Sequence, residues 1–420
     1  MRSIRSRIAS RIKRLLHREP DRLSGVKWFS EKGTKPRAIL QVSPAVQPNG
    51  VLVNFGDQVV YWALTEALTN RNFEVLRVPR TFIAPRRIKS QQPDLFLDLS
   101  GFIYSVAHHK DMKSIDAARI TGRNARACKK AGAFTATAPQ TFGPFSDQRN
   151  DPLNMEMVRM FKELDTIYVR DDTSHSHLCK ISSDVEPKLK IVPDTAFLYR
   201  SDAQAGRALL KQAGIDVESG RPVAGIIPNR QISQRSSSFM EDIKRVIAFL
   251  KDEGAEVVLI PHEHGRHGIN EKDDQYLCRL ISEETGVINL AQERSESYPS
   301  SEFELNYIRG IENVIGSLDF LVSQRFHGAL RGVSETVPTV TTSWSHKYPQ
   351  LYTDLTLSPE KFILGGEGAT NGSFEQSLDT LAAAWQNRSG TREILKRTVP
   401  GIRDRVNQFI DDVTNIHHHT

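Results

Sequence analysis

The chain has 420 residues, of which 39% are hydrophobic and 25% charged, a composition ordinary for a globular protein long enough for two domains. Its net charge of +6 comes from residues 1–18, which contain seven basic residues and no acidic one. The rest of the chain carries 49 basic and 50 acidic residues, so no nucleic-acid partner is expected. The three cysteines are far apart, which excludes a disulfide framework and predicts a reducing, cytoplasmic environment.

The N-terminal arm, residues 1–30, begins with a basic amphipathic pattern. Apolar side chains recur at helical spacing among its arginines, at Ile4, Ile8, Ile12 and Leu15. This pattern is typical of a helix that binds an anionic membrane surface, here through residues 2–18, and a partner-packed basic helix is the alternative. The arm lacks the apolar core of a signal peptide, and no stretch is long enough to span a bilayer. We expect a cytoplasmic protein, peripheral at the inner face of the cell membrane.

Residues 31–200 alternate short apolar strands with helical patterns, which predicts a parallel sheet with helical crossovers. Strands are expected at 38–42, 74–78, 95–99, 133–138, 166–169 and 189–192. Between the first two strands, Asn54-Phe55-Gly56-Asp57 precedes an apolar helical pattern. Asp57 is predicted to cap this helix, and Gly56 would let the backbone approach a ligand. A helix cap without any ligand is the alternative.

Two further polar groups follow strands of this first domain. The loop from Gln140 to Gly143 follows one strand, and Arg170 ends another. Ligands of open α/β sheets bind outside the carboxyl ends of strands, so an arginine there points to the ligand edge. The alternative for Arg170 is an ion pair with a neighbouring aspartate, Asp171 or Asp172.

A second strand series begins near residue 201, so residues 201–372 form a second Rossmann-like domain and residues 373–420 a helical segment. The strands of this second domain are expected at 223–227, 256–260, 286–289, 318–322 and 339–341. The predicted architecture is α/β, with two doubly wound domains that face each other across a cleft. The C-terminal helices would return to brace the first domain.

The most informative stretch is Ser-x-Arg-x-His at Ser323, Arg325 and His327, where a buried strand ends and a helix begins. A helix N-terminus offers free N–H groups and partial positive charge to an anion. An arginine and a histidine two residues apart there suit an anionic substrate that also needs a proton moved. A salt-bridged arginine beside a hydrogen-bonded, buried histidine is an equally available interpretation.

Two other residues of the second domain are candidates for substrate contact. His262 follows a strand and is expected to hydrogen-bond substrate; metal binding with His264 is disfavoured because no third ligand lies at a suitable spacing. Lys347 could bind an anionic group, and a solvated lysine is the alternative. No metal site and no cofactor are expected.

Several motifs occur in the order found in the polysaccharide pyruvyl transferase family, which the chain therefore resembles over residues 54–355. Besides the Ser-x-Arg-x-His stretch they are Asn54-Phe55-Gly56-Asp57, Gln140-Thr141-Phe142-Gly143-Pro144-Phe145, Val169-Arg170-Asp171, Pro193-Asp194-Thr195-Ala196-Phe197 and Lys347. The resemblance implies a GT-B-like fold and transfer of pyruvate from phosphoenolpyruvate to two hydroxyls of one sugar, forming a cyclic ketal. One departure is Ser100-Gly101, where the family usually has two glycines.

The resemblance also implies roles for the matched residues. Arg325 and Arg170 would bind the carboxylate and phosphate of the donor, because the guanidinium fork suits both groups. His327 would move protons, and the acceptor would be a glycan or a lipid-linked oligosaccharide. Two alternatives remain: a metal-independent glycosyltransferase that uses a nucleotide sugar, and an inactive membrane-associated scaffold.

Overall fold

The computed structural model describes residues 26–30, 33–43, 54–106, 112–148, 150–263, 273–291, 300–343, 345–366 and 374–415. The predicted membrane-binding segment, His264 and the histidines at 417–419 lie outside the described residues. The described chain forms two compact units. The first contains 61–195 and 405–415 together with the first strand, and the second contains 54–60 and 196–404. The sequence placed the boundary between the two Rossmann-like domains after residue 200, whereas the described chain passes between the units after residues 60, 195 and 404.

The first unit has a parallel sheet whose described strands follow the order β2-β1-β3-β4. These strands are β1 (Arg37–Val42), β2 (Glu74–Pro79), β3 (Leu95–Leu99) and β4 (Phe134–Thr137). Two more, β5 (Ile167–Val169) and β6 (Leu189–Ile191), pair with each other in parallel. Helix α1 (Phe55–Thr69) begins in the second unit and continues into the first. The other helices of the first unit are α2 (Pro85–Gln91), α3 (Lys113–Lys130), α4 (Pro152–Lys162) and α5 (Asp172–Ile181). Every residue of β1 and β3 is buried, as expected for a sheet covered on both faces.

The second unit has a parallel sheet whose described strands follow the order β12-β11-β10-β7-β8-β9. They are β7 (Val223–Ile227), β8 (Glu256–Leu259), β9 (Ile288–Asn289), β10 (Phe320–Ser323), β11 (Thr339–Ser343) and β12 (Ile363–Gly366). The helices are α6 (Ala203–Gln212), α7 (Arg230–Ser233), α8 (Phe239–Asp252), α9 (Asp274–Thr285), α10 (Ser300–Ser317), α11 (Phe326–Ser334), α12 (Lys347–Asp354), α13 (Phe374–Gln386) and α14 (Arg388–Thr414). Short 3₁₀ turns cover Ser183–Lys188, Thr195–Leu198 and Pro359–Lys361.

Most strands lie within two residues of their predicted positions, because each is a short apolar run between turn signals. Sequence reasoning missed β12, whose four residues include two glycines, and α2, which begins at a proline. Glycine weakens a strand pattern, and seven residues are too few to show helical periodicity.

The helix α11 lies close against the second sheet because two of its residues lack side chains. A Cβ at Gly328 would come within 2.6 Å of the Ser323 Oγ, and one at Gly332 within 2.7 Å of a Leu321 methyl. Any larger residue at either position would push the helix away from β10. The two glycines, one helical turn apart, therefore fix the height of α11 above the strand that precedes it.

A buried charged network also holds α11 in place. Arg331 is fully buried, donates to Glu312 of α10 through Nε at 2.8 Å, and also donates to the carbonyl oxygens of Ala196 and Tyr199. The His262 Nε2 lies 3.1 Å from the other oxygen of Glu312. Burial by itself would raise the pKa of Glu312, but the His262 hydrogen bond and the Arg331 charge bring it below its usual range. Glu312 is therefore ionised and paired.

The C-terminal part of α14 packs within the first unit, which confirms the expectation that the last helices brace that domain. Arg71 donates to Asp411 at 2.8 Å, and the rings of Tyr168 and Phe409 meet edge to face with centroids 4.6 Å apart. Phe409 is almost fully buried by this contact. Among the helices of the described chain, none has the length and apolar character needed to cross a membrane.

Replacement of Glu312 by alanine should destabilise the second unit. The change leaves Arg331 as a buried charge without its main partner, and breaking such a pair costs about 3–5 kcal/mol. Urea unfolding followed by circular dichroism measures the effect. Glu393→Ala is the matched control, since Glu393 pairs with Lys396 at a 65% exposed position, and it should leave the unfolding midpoint unchanged. Equal midpoints for the two variants would contradict the assigned role of the network.

Candidate active site

The turn between β10 and α11 is held by the hydroxyl of Ser323. This hydroxyl donates to the Arg325 carbonyl at 2.8 Å and accepts from the Arg325 N–H at 3.2 Å. Arg325 is the N-cap residue of α11, with an extended backbone, so His327 lies in the first helical turn. Ser323 is completely buried. The structure thus uses its side chain to shape the turn, and its predicted contact with substrate stays a prediction.

The guanidinium of Arg325 is held by two carboxylates. It donates to Asp274 from Nε at 2.9 Å and from Nη2 at 2.6 Å, and Nη2 also pairs with Glu263. Nη1 takes part in none of these contacts. Burial by itself would lower the pKa of Arg325, but the two carboxylates raise it above its usual range. Arg325 is therefore a fixed cation, and the interpretation of a salt-bridged arginine was correct.

His327 lies against the start of α1. A Cβ at Gly56 would overlap the His327 ring, so only glycine leaves room for the imidazole there. His327 is partly exposed, and its ring meets that of Phe326 with centroids 5.5 Å apart. The expected close approach at Gly56 thus exists, but in this structure it accommodates the imidazole of His327.

The predicted cap of α1 is wrong in detail. Asn54 is the capping residue, because its side-chain oxygen accepts the N–H of Asp57 at 3.3 Å. Asp57 lies within the first turn, where its negative charge interacts favourably with the helix dipole. Because Asn54 caps the helix, the carboxylate of Asp57 is not needed as a cap.

Lys347 begins α12 and is buried, so the alternative of a solvated lysine is wrong. Its ammonium group lies over the ring of Phe326, 5.0 Å from the centroid. Phe326 also contacts the His327 ring, so Lys347 adds positive charge near the start of α11. Of the other predicted residues, His262 is 2% exposed and bound to Glu312, which gives it a structural partner.

In the first unit, Arg170 follows β5 and pairs with Asp194. The Nη1–Oδ2 distance is 2.6 Å, whereas the nearest approach to Asp171 is 4.0 Å. The aspartate partner is thus distant in sequence. Gly143 has a φ of 81°, and a Cβ there would come within 2.7 Å of the His177 ring. Both the backbone conformation and the close approach therefore require glycine at this position.

Gln140 belongs to a polar cluster around Asp98 at the end of β3. Its amide donates to Asp98 at 3.2 Å, and its oxygen accepts the Gly101 N–H at 2.8 Å. Asp98 is fully buried and also accepts from Ser100 at 2.5 Å and Tyr104 at 2.9 Å. Ser100 therefore supplies a hydroxyl that glycine could not, which accounts physically for the departure at Ser100-Gly101. Contact of Gln140 with substrate stays a prediction.

Sequence reasoning missed three carboxylates of these clusters. Asp274 and Glu263 lie 51 and 62 residues before Arg325 and meet it only in the folded unit. The available signals were the position of Glu263 in the loop after a strand and an aspartate at the start of α9. Asp98 stood out as a charged residue inside an otherwise apolar strand, a pattern that indicates a buried, fully hydrogen-bonded group.

Solved structures show the class of fold. A protein assigned as a UDP-N-acetylglucosamine 2-epimerase from Listeria monocytogenes has a TM-score of 0.54 at 10% identity, covering 92% of this chain and 98% of its own. The UDP-GlcNAc 2-epimerase from Neisseria meningitidis, bound to UDP-GlcNAc, has a TM-score of 0.51 at 9% identity, covering 90% and 99%. A glycosyltransferase from Rickettsia africae has a TM-score of 0.51 at 10% identity, covering 91% and 99%. The fold is thus an α/β architecture of the GT-B-like class, as the sequence predicted.

The sequence comparison identifies the family. The family model for polysaccharide pyruvyl transferase matches residues 54–346, and none of the curated proteins matches the chain. The matched range is more than half of the chain and includes the Arg325 and His327 cluster and the Arg170 region. The chain belongs to the polysaccharide pyruvyl transferase family, which confirms the resemblance drawn from its motifs.

Substitution of Gly56 by alanine should displace His327, because the added methyl group overlaps the ring. The resonances of His327, assigned with the variant His327→Gln, should shift in the NMR spectrum. Gly401→Ala is the matched control, since a Cβ at that position would meet no described atom within 4 Å apart from its chain neighbours and the backbone of its own helix, and it should leave those resonances unchanged. Unshifted His327 resonances in Gly56→Ala would show that the close packing of the two residues does not exist.

Proposed function

We propose that this protein transfers the pyruvyl group of phosphoenolpyruvate to two hydroxyls of one sugar in a glycan precursor, forming a cyclic ketal. The observation that carries the proposal is the pairing of a fixed guanidinium, Arg325, with a partly exposed imidazole, His327, at the start of one helix. Family membership supports the same reaction. The structural likenesses support only the fold.

The donor carries a carboxylate and a phosphate, so it needs cationic and N–H partners. The Nη1 group of Arg325 is outside the two carboxylate pairs, and Lys347 adds charge behind Phe326. The positive end of α11 contributes in the same direction. We assign these groups to the anionic part of the donor. Contact of Arg170 with substrate stays a prediction.

The reaction needs two proton movements besides the formation of two C–O bonds. A proton adds to the methylene carbon of the enol, and the first acceptor hydroxyl bonds to the neighbouring carbon and loses its proton. The second hydroxyl then replaces phosphate on that carbon. We assign to His327 the removal of the first hydroxyl proton and its delivery to the departing phosphate, since an imidazole can accept and return a proton near neutral pH.

The acceptor is proposed from the N-terminal segment. Residues 2–18 combine seven basic side chains with apolar residues at helical spacing, as in helices that bind anionic lipid surfaces. A lipid-linked oligosaccharide at the inner face of the membrane would then be within reach. Free polysaccharide is the other acceptor class, and the experiment below separates the two.

The first experiment measures phosphate release from phosphoenolpyruvate with a panel of free and lipid-linked glycans. Wild type should release phosphate only with an acceptor, and His327→Ala should lower that rate by about 10²–10⁴-fold, the usual contribution of a general acid or base. His175→Ala, a partly buried histidine of the first unit, is the control and should keep the wild-type rate. Retention of the wild-type rate by His327→Ala would remove the assigned role. No release with any acceptor, together with no thermal shift by phosphoenolpyruvate, would overturn the proposed function.

A further inference from the structure

Glu263 lies in the loop after β8, next to His262, and the two side chains have different surroundings. His262 points into the buried network around Glu312. Glu263 forms a backbone bridge with Asn54, the residue that caps α1, and its carboxylate pairs with Arg325. Glu263 therefore belongs to the same cluster as Gly56 and His327.

The two carboxylates that hold Arg325 differ in their access to solvent. The side chain of Asp274 is completely buried and binds the guanidinium through both of its oxygens. The side chain of Glu263 is 18% exposed, close to the 13% of Arg325 itself. Asp274 thus supplies a fixed counter-charge from inside the unit, whereas Glu263 lies on the accessible side of the arginine.

The surroundings of Glu263 favour its protonated form. Burial raises the pKa of the Glu263 carboxyl to about 6, although the charge of Arg325 opposes the shift. The carboxylates of Asp274 and Asp57 act in the same direction as burial. The charged groups that face Glu263 thus come from α1, α9 and the turn before α11, and near neutral pH part of the population carries a proton.

We propose that Glu263 is the general acid that protonates the methylene carbon of the enol donor. This inference rests on the proposed function and adds the proton donor that His327 does not supply. The Glu263 proton forms the third C–H bond of the new methyl group, while the acceptor oxygen bonds to the adjacent carbon. His327 passes the first hydroxyl proton to the departing phosphate. The proton of the second hydroxyl restores Glu263, so protons and electron pairs balance over one turnover.

The cluster offers a natural comparison between two carboxylates. Asp274 pairs with the same arginine but is fully enclosed, so it can position Arg325 without reaching a substrate. Loss of either carboxylate disturbs Arg325, but only loss of the acid removes the proton donor. A general acid must be protonated to act, so the rate should fall as the pH rises through about 6, the pKa of Glu263.

The experiment compares Glu263→Gln with Asp274→Asn in acceptor-dependent phosphate release between about pH 4 and about pH 8, roughly two units on each side of that pKa. Glu263→Gln should lose about 10²–10⁴-fold in rate and should lose the falling limb near pH 6. Asp274→Asn should keep that limb and move it to lower pH, because the Asp274 charge raises the pKa of Glu263. Thermal shifts with phosphoenolpyruvate check that both variants still fold and bind the donor.

Deuterium incorporation into the ketal methyl group in D₂O follows the proposed step itself. It should slow with the overall rate in Glu263→Gln. A Glu263→Gln variant that binds donor and keeps both its rate and the falling limb would overturn this inference while the wild-type activity still supported the proposed function. An inactive wild type would overturn both.

Discussion

The second unit depends on the way α11 is held over its sheet. Arg331, buried on this helix, pairs with Glu312 of α10 and with Glu335, and its other N–H groups donate to serine hydroxyls and backbone carbonyl oxygens. A buried guanidinium is tolerated only when its charge and its donors are satisfied, so the network allows one position for the helix. That position, together with the glycines that face the sheet, fixes where the first turn of α11 and its histidine lie.

A second arginine lies at the N-terminus of the same helix, in different surroundings. Arg325 precedes the first turn, is partly exposed, and pairs with one enclosed carboxylate and one accessible carboxylate. The pairing keeps the guanidinium in place before any substrate binds. Without it, a substrate would have to order the arginine side chain at a cost in conformational entropy. It also couples the arginine to Glu263, so under the proposed function one cluster would both position the donor and supply a proton.

The first unit also contains a buried charged group, and there neutral hydrogen-bond donors satisfy it. Asp98 is a fully buried carboxylate on a central strand and is satisfied by hydroxyl and amide groups from β1, helix α3 and the loops after β3 and β4. A carboxylate bound by several donors needs no cation nearby. The cluster fixes the loops after β3 and β4, and Gln140 and Ser100 are part of that scaffold.

The sequence by itself determined the α/β class, most strands and the family, and it placed Arg325 and His327 where a strand ends and a helix begins, because these features follow from apolar periodicity and from residues adjacent in the chain. Only the tertiary structure decided what those residues touch. Asp274 and Glu263 pair with Arg325 although each lies more than fifty residues before it in the sequence. Gly56 contacts His327 although the two residues are far apart in the sequence. Long-range pairing of this kind is set by the order of strands in a sheet, and local sequence patterns carry no record of it.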